Sequence, residues 1–150
     1  MTKQNQLIFM EGKKKALERL FSGGENSVFG YLAIGYSSQD NGFEDPDAEG
    51  NVESNGFNEL EAVNGYNERI PLQLQPNGVD EDSSTGKVLV RFFATLTEDI
   101  IKSSQEINQI AVVDSKDVRA SNTKYYSATT FPTFTKSSES AITFVIGFRL

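Results

Sequence analysis

From residue 141 to residue 150 the chain reads AITFVIGFRL, and Ile142, Phe144, Ile146, Phe148 and Leu150 take every second place. Thr143, Val145, Gly147 and Arg149 fill the places between. A repeat of two puts successive side chains on opposite faces of an extended backbone, so this stretch is a strand with one apolar face. The expectation that goes with it is a fold completed only when the last residue is made. Just before it, residues 125–131 are rich in Tyr, Thr and Phe, which suit a pleated, half-buried surface. Pro132 has no N–H to give to a ladder. The reading is therefore a strand, a crossing marked by Pro132, a polar turn over 136–140, and the closing strand.

The same logic finds further strands upstream. Residues 28–36 (VFGYLAIGY) are apolar on both faces, which predicts a central strand, with Gly30 and Gly35 leaving room for a close neighbour or a bulge. Residues 69–75 alternate cleanly, and Pro71 predicts either an edge strand or a strand that starts beside it. Residues 76–78 (Pro-Asn-Gly) carry turn chemistry, and residues 80–86 form an acidic tip. Residues 87–96 place Val88, Val90, Phe92, Ala94 and Leu96 on one face, and a hairpin with 69–75 is expected. Thr97 can cap a short helical turn. Residues 107–114 (INQIAVVD) read as a buried strand, and 115–124 as a loop.

One helix is expected, over residues 7–21, where Ala16, Leu17, Leu20 and Phe21 recur at helical spacing and Gly23-Gly24 follows as a stop. Gly12 weakens its continuity with residues 7–10, which can instead form an arm or a separate turn. Residues 37–68 change character. No Lys or Arg occurs between Arg19 and Arg69, while ten acids, many Gly and many Asn do. This is a long acidic loop, which Phe43, Phe57, Leu60, Val63 and Tyr66 can pin to the body. The fold class that follows is mainly β: an antiparallel β-sandwich or partly open barrel of about six or more strands with one N-terminal helix. Residues 1–150 form a single domain, with an arm and helix over 1–24 and the loop over 37–68.

Composition narrows the chemistry. The chain has no histidine and no cysteine, which removes the commonest general base, the imidazole and thiolate metal ligands, and any disulfide framework. A net charge of −7 repels phosphate backbones, so no nucleic-acid partner is expected. The opening MTKQNQLIFMEGKKK has only four apolar residues in a row, too few for a signal core or a membrane span. The expectation is a chain made in a cytoplasm, with no membrane partner. Residues 45–51 begin like a calcium loop, but Gly56 stands where that loop needs its bidentate Glu. No phosphate cradle is present. No catalytic, cofactor or metal residue is assigned and no cofactor is expected, so the chain reads as a non-enzyme. The candidate contacts to partners are Lys13, Lys14 and Lys15, as an anchor for an acidic neighbour, together with Tyr36, Phe43, Phe57 and Tyr66.

The order of these segments carries a resemblance. A Lys-rich helix start with a Gly-Gly end is followed by YLAIGYSS (31–38), the variable acidic loop, GYNERI (65–70), INQIAVVD (107–114), and the FPTFTK-to-strand close within 128–144. In this order the chain resembles the small tail-fibre-like and accessory virion structural proteins of tailed bacteriophages. Its loop is longer and more acidic than their pattern, and Ala111 replaces an expected glycine. The resemblance implies a capsid decoration or cement protein, with a tail, collar or fibre-attachment adaptor or a carbohydrate- or receptor-binding module as the alternatives. It implies other virion proteins as partners, chiefly major capsid or tail and collar proteins. It also implies a homo-oligomer, a trimer by analogy, located in the virion after assembly in the host cytoplasm.

Overall fold

The computed structural model describes residues 5–8, 13–16, 28–38, 57–61, 65–82, 84–118 and 123–149. Its strands are β1 (Asn5–Ile8), β2 (Val28–Gly35), β3 (Ile70–Asp82), β4 (Lys87–Leu96), β5 (Gln105–Val113), β6 (Tyr125–Lys136) and β7 (Ile142–Arg149). They form one antiparallel sheet in the order β1-β6-β5-β2-β3-β4-β7.

Chain connectivity forces this sheet to curl. β6 and β7 lie five places apart in the order, yet only residues 137–141 join them. Five spacings of about 4.8 Å separate such strands by roughly 24 Å in a flat sheet. Six Cα steps of at most about 3.6 Å reach only about 21 Å, and the turn at 138–139 shortens that reach. The sheet therefore wraps until β7 faces β6 across its interior. There the Phe144 ring lies 6.0 Å from that of Phe131 and 6.3 Å from that of Phe134, centroid to centroid. No ladder joins β6 to β7 among the described residues, so the result is a half-barrel with an open seam.

The interior is filled by the faces that alternation selected. On β4, Val90, Phe92, Ala94 and Leu96 are buried; on β7, Ile146 and Phe148 are. Phe29 of β2 stacks on Phe92 with centroids 4.0 Å apart, and Phe148 packs edge-on against both at 5.3 and 5.8 Å. Aromatic pairs of this kind add about 0.5–1.5 kcal/mol each beyond the area they bury. β2 is the middle strand of the seven, flanked by β5 and β3, as its two apolar faces predict. β5 is buried from Ile107 to Val113. Its outward residues Ala111 and Val113 join Ala33, Ala128 and Phe57 in a second, smaller cluster on the other side of the sheet.

Several expectations change. Leu7 and Ile8 belong to strand β1, paired with Ala128 and Ser127, so the helix over 7–21 does not begin there. Among the described residues helix is confined to 13–16; the remainder of that prediction, with its Gly23-Gly24 stop, lies outside them. Residues 76–78 do not turn the chain back. β3 runs on to Asp82, and the three extra residues are absorbed as a bulge where the register jumps between Leu74 and Val79. The hairpin with β4 is present, its turn at 84–86, where Gly86 takes φ +70°. Pro71 sits beside the start of β3, an interior strand. Pro132 does not divide residues 125–136 either. β6 is continuous, and a register shift opposite Ile107–Gln109 carries the proline where no ladder bond is needed. Thr97–Ile100 makes a single turn, with the Ile100 N–H donating to the Thr97 carbonyl at 3.1 Å, and no helix follows.

Candidate functional site

The acidic insert leaves β2 at Gly35 and returns beside it. The Tyr36 N–H donates to the Asn58 carbonyl at 3.0 Å, and the Leu60 N–H donates to the Ile34 carbonyl at 2.9 Å. β3 pairs with β2 only as far as Leu32↔Ile70. Beyond that point residues 58–60 take the place that β3 leaves vacant, with a bridge at Gly35↔Glu59. Residues 38–57 therefore begin and end at one fixed point on the half-barrel.

Two consecutive residues of β5 hold that point. The Asn108 Oδ1 accepts from the Ser37 N–H at 2.9 Å, and its Nδ2 donates to the Ser37 carbonyl at 2.7 Å. Gln109 Oε1 accepts from the Asn58 N–H at 2.9 Å. A regular strand would send neighbouring side chains to opposite faces. The register shift between Ile107 and Gln109 lets both reach the insert. Gly35 is required here by space, because a Cβ on it would meet the Asn58 carbonyl oxygen at 2.6 Å.

A polar latch locks the return. Arg69, 3% exposed, grips Glu59 with two bonds: Nε to Oε2 at 2.9 Å and Nη2 to Oε1 at 2.7 Å. Its Nη1 donates to the Ser115 carbonyl at 3.1 Å and the Ser115 Oγ at 2.9 Å. The Tyr66 hydroxyl donates to Glu59 Oε2 at 2.6 Å and accepts the Ile34 N–H at 2.9 Å. A two-pronged guanidinium–carboxylate pair of this geometry is strong, and removing one partner leaves the other charged and buried, at about 3–5 kcal/mol. Burial, reinforced by the negative charge and hydrogen bond of Glu59, pushes the Tyr66 phenol well above its ordinary value. Burial pulls the Arg69 guanidinium down, but the bond and charge of Glu59 outweigh it and hold the group above its usual range. Every charged or phenolic group in the latch is committed to another member of it.

Beside the latch lies an open groove of about 430 Å³ whose rim includes Glu68, Ile70, Pro71 and Lys116. Glu68 and Lys116 pair across it at 3.1 Å. Elsewhere Lys136 is fully covered at the end of β6; burial pulls its ammonium below the usual value, partly countered by Glu98, and Nζ donates to the Ser137 carbonyl. Among the described residues no cluster of three or more acids gathers to hold a metal ion.

The structure separates the candidate partner contacts. Tyr66 is wholly buried and serves the latch, so it is not a surface contact. Phe57 is 7% exposed and packs edge-on against Tyr125 at 6.1 Å, pinning the insert to the outer face of the sheet. Tyr36 is half-buried, and the hydrogen bond its hydroxyl donates to Glu106, with burial and the Glu106 charge, raises its phenol. Lys13 and Lys14 are exposed and Lys15 half-buried. Phe43, Val63 and the calcium-like stretch 45–56 lie outside the described residues. The sequence reading did not single out Glu59, Arg69, Asn108 or Gln109 as a set. One signal for the latch was present: Arg69 is the first cation after an interval of ten acids.

The fold and site together define a mainly β half-barrel with a long insert rooted on its central strand. No protein-family model, no curated protein and no solved structure matches the chain.

Proposed function

We propose that this protein is a non-enzymatic structural component of a tailed-bacteriophage particle, a decoration protein that stabilises the capsid through contacts with its neighbours. The observation that carries the reading is the rooting of residues 38–57. Both ends of the insert are fixed to β2 and β5 by backbone and amide bonds of 2.7–3.0 Å. Within it the sequence places Asp40, Glu44, Asp45, Asp47, Glu49 and Glu53 with no Lys or Arg. A loop set on a rigid scaffold is the usual way a domain presents a contact, and this one suits a basic surface on a shell lattice. The resemblance in strand order to small virion proteins supports the same reading. The half-barrel interior is occupied by aromatic rings, the buried Arg69 charge is committed to the latch, and the covered Lys136 ammonium donates to the Ser137 carbonyl, which supports a scaffold role over a reaction site.

The test is location. Particles purified from the lysate of the culture that makes the chain are imaged by electron microscopy with and without an antibody against it. Label distributed over the shell is expected. Label confined to the tail, collar or fibres makes it an adaptor. Particles that lack the chain altogether refute the proposal. Binding of the isolated protein to shells should weaken as salt rises from about 0.05 to 0.5 M, because exposed charge contacts are screened.

A further inference from the structure

The groove beside the latch has a volume of about 430 Å³, within the range of small-ligand sites. Its apolar lining is Ile70, Pro71 and Ile100. Its charged lining is the Glu68–Lys116 pair, 3.1 Å from Nζ to Oε2, with the two side chains 62% and 52% exposed. Arg69 lines it too, but that charge is already met by Glu59.

The backbone around this groove is held in a costly conformation. Among the described residues a left-handed φ is taken by Gly65 (+99°), Gly86 (+70°) and Ile101 (+61°). Gly86 turns the hairpin of β3 and β4; the other two stand at the groove. A side chain on Gly65 would collide with the Asp99 carbonyl, so glycine lets residue 65 and the turn at 97–101 close on each other. Ile101 is β-branched, and such residues avoid positive φ. It is buried, and it fixes the chain just after Ile100 of the groove wall. Strain of this kind persists only where the surrounding fold imposes it, and it clusters at ligand sites.

We propose that the groove takes a lysine or arginine side chain from a neighbouring protein, with its aliphatic stem against Ile70, Pro71 and Ile100 and its cationic head on the Glu68 carboxylate. Charge selects this occupant. On residues 65–71, 97–102 and 115–117 four carboxylates, Glu68, Glu98, Asp99 and Asp117, stand against two ammonium groups, Lys102 and Lys116, once Arg69 is matched with Glu59. All six are exposed. The excess is negative, so the groove draws a cation in and repels an anion. Long basic side chains lay their methylenes on apolar surface and keep the charged end in water. An open groove with an apolar wall and an acid at its rim matches that shape. The Glu68–Lys116 pair does not bar entry, because an exposed pair of this kind contributes little. Such a contact deepens the proposed function, on which it rests for the identity of the neighbour. It gives a basic shell surface a second point of attachment, apart from residues 38–57.

Three blocked tripeptides, with lysine, norleucine or glutamate between two glycines, test this on the full-length protein by amide NMR titration. The lysine peptide should bind with a dissociation constant on the order of 1–10 mM, as suits so small a ligand, and should shift the amides of Glu68, Ile70 and Ile100. Norleucine keeps the stem without the charge and should bind about threefold to fivefold more weakly. The glutamate peptide should not bind. In Glu68→Gln the preference for lysine over norleucine should disappear. Lys116→Met releases Glu68 from its present partner and should tighten the lysine peptide about threefold. Lys87→Met makes the same charge change at the other end of the β3–β4 pair and should not. The three replaced side chains are exposed, so the variants keep the native fold, and their amide spectra report it. Equal affinity for the lysine and norleucine peptides, no saturable binding of either, shifts confined to residues away from the groove, or a lysine preference that survives Glu68→Gln overturns the inference. Particles play no part in these titrations, so the capsid reading stands or falls by imaging alone.

Discussion

Replacing Tyr66 by Phe removes one oxygen and leaves the ring in place. In the native chain that oxygen accepts the Ile34 N–H at 2.9 Å and donates to Glu59 at 2.6 Å. Ile34 is 0% exposed, so its orphaned N–H has no access to water. A buried donor left unpaired costs about 1–3 kcal/mol. Glu59 retains both Arg69 bonds and 16% side-chain exposure, so its own loss is small. The sum is about 2–3 kcal/mol, which for a chain of this length lowers the melting temperature by roughly 4–12 °C. Urea or thermal unfolding followed by circular dichroism measures it. The same substitution changes the alkaline limb. A phenol whose folded value lies above its ordinary 10.0 contributes stability that is fully present below that pH. Above it the unfolded chain binds fewer protons than the folded one, so stability falls as pH rises. Native protein should therefore lose stability above pH 10 more steeply than Tyr66→Phe does. If the variant unfolds within about 0.5 kcal/mol of the native protein and shows the same alkaline slope, the latch is not what holds the insert.

Three further outcomes follow from the site. Gly35→Ala drives a methyl group against the Asn58 carbonyl and the Phe57 ring, and should destabilise by about 1–3 kcal/mol in denaturant titration. Asn108→Ala strips Ser37 of two partners and should cost about 2 kcal/mol; its coupling to Gln109→Ala in a double-mutant cycle should be at least about 0.5 kcal/mol, since both hold one root. Asp80→Asn breaks the Arg91 pair, but those side chains are 61% and 29% exposed, so the melting curve should move by no more than about 1 kcal/mol.

The strands were legible because alternation is a local property. The repeat of two in residues 142–150 and 87–96 reports which face turns inward whatever the neighbours are, and on those faces Val90, Phe92, Ala94, Leu96, Ile146 and Phe148 are buried. The two apolar faces of 28–35 and 107–113 announced interior strands for the same reason. Proline and glycine misled where bulges absorbed them: Pro76-Asn77-Gly78 has the chemistry of a turn, but the ladder resumes at Val79↔Val90. Tyr66 and Phe57 illustrate a different limit. An aromatic residue in a polar loop reads alike whether it faces a partner or its own sheet, and only the packing tells which.

By itself, then, the amino-acid order determined that this chain is made of strands, which side of most of them is apolar, and that an acidic stretch interrupts them, since each depends on residues a few places apart. Only the tertiary structure decided the pairing order, the curl imposed by the short link from β6 to β7, and the latch around Arg69. Asn108 meets Ser37 across 71 residues, and Arg69 meets Ser115 across 46. Such contacts depend on where a whole sheet places its strands, and no local pattern encodes that.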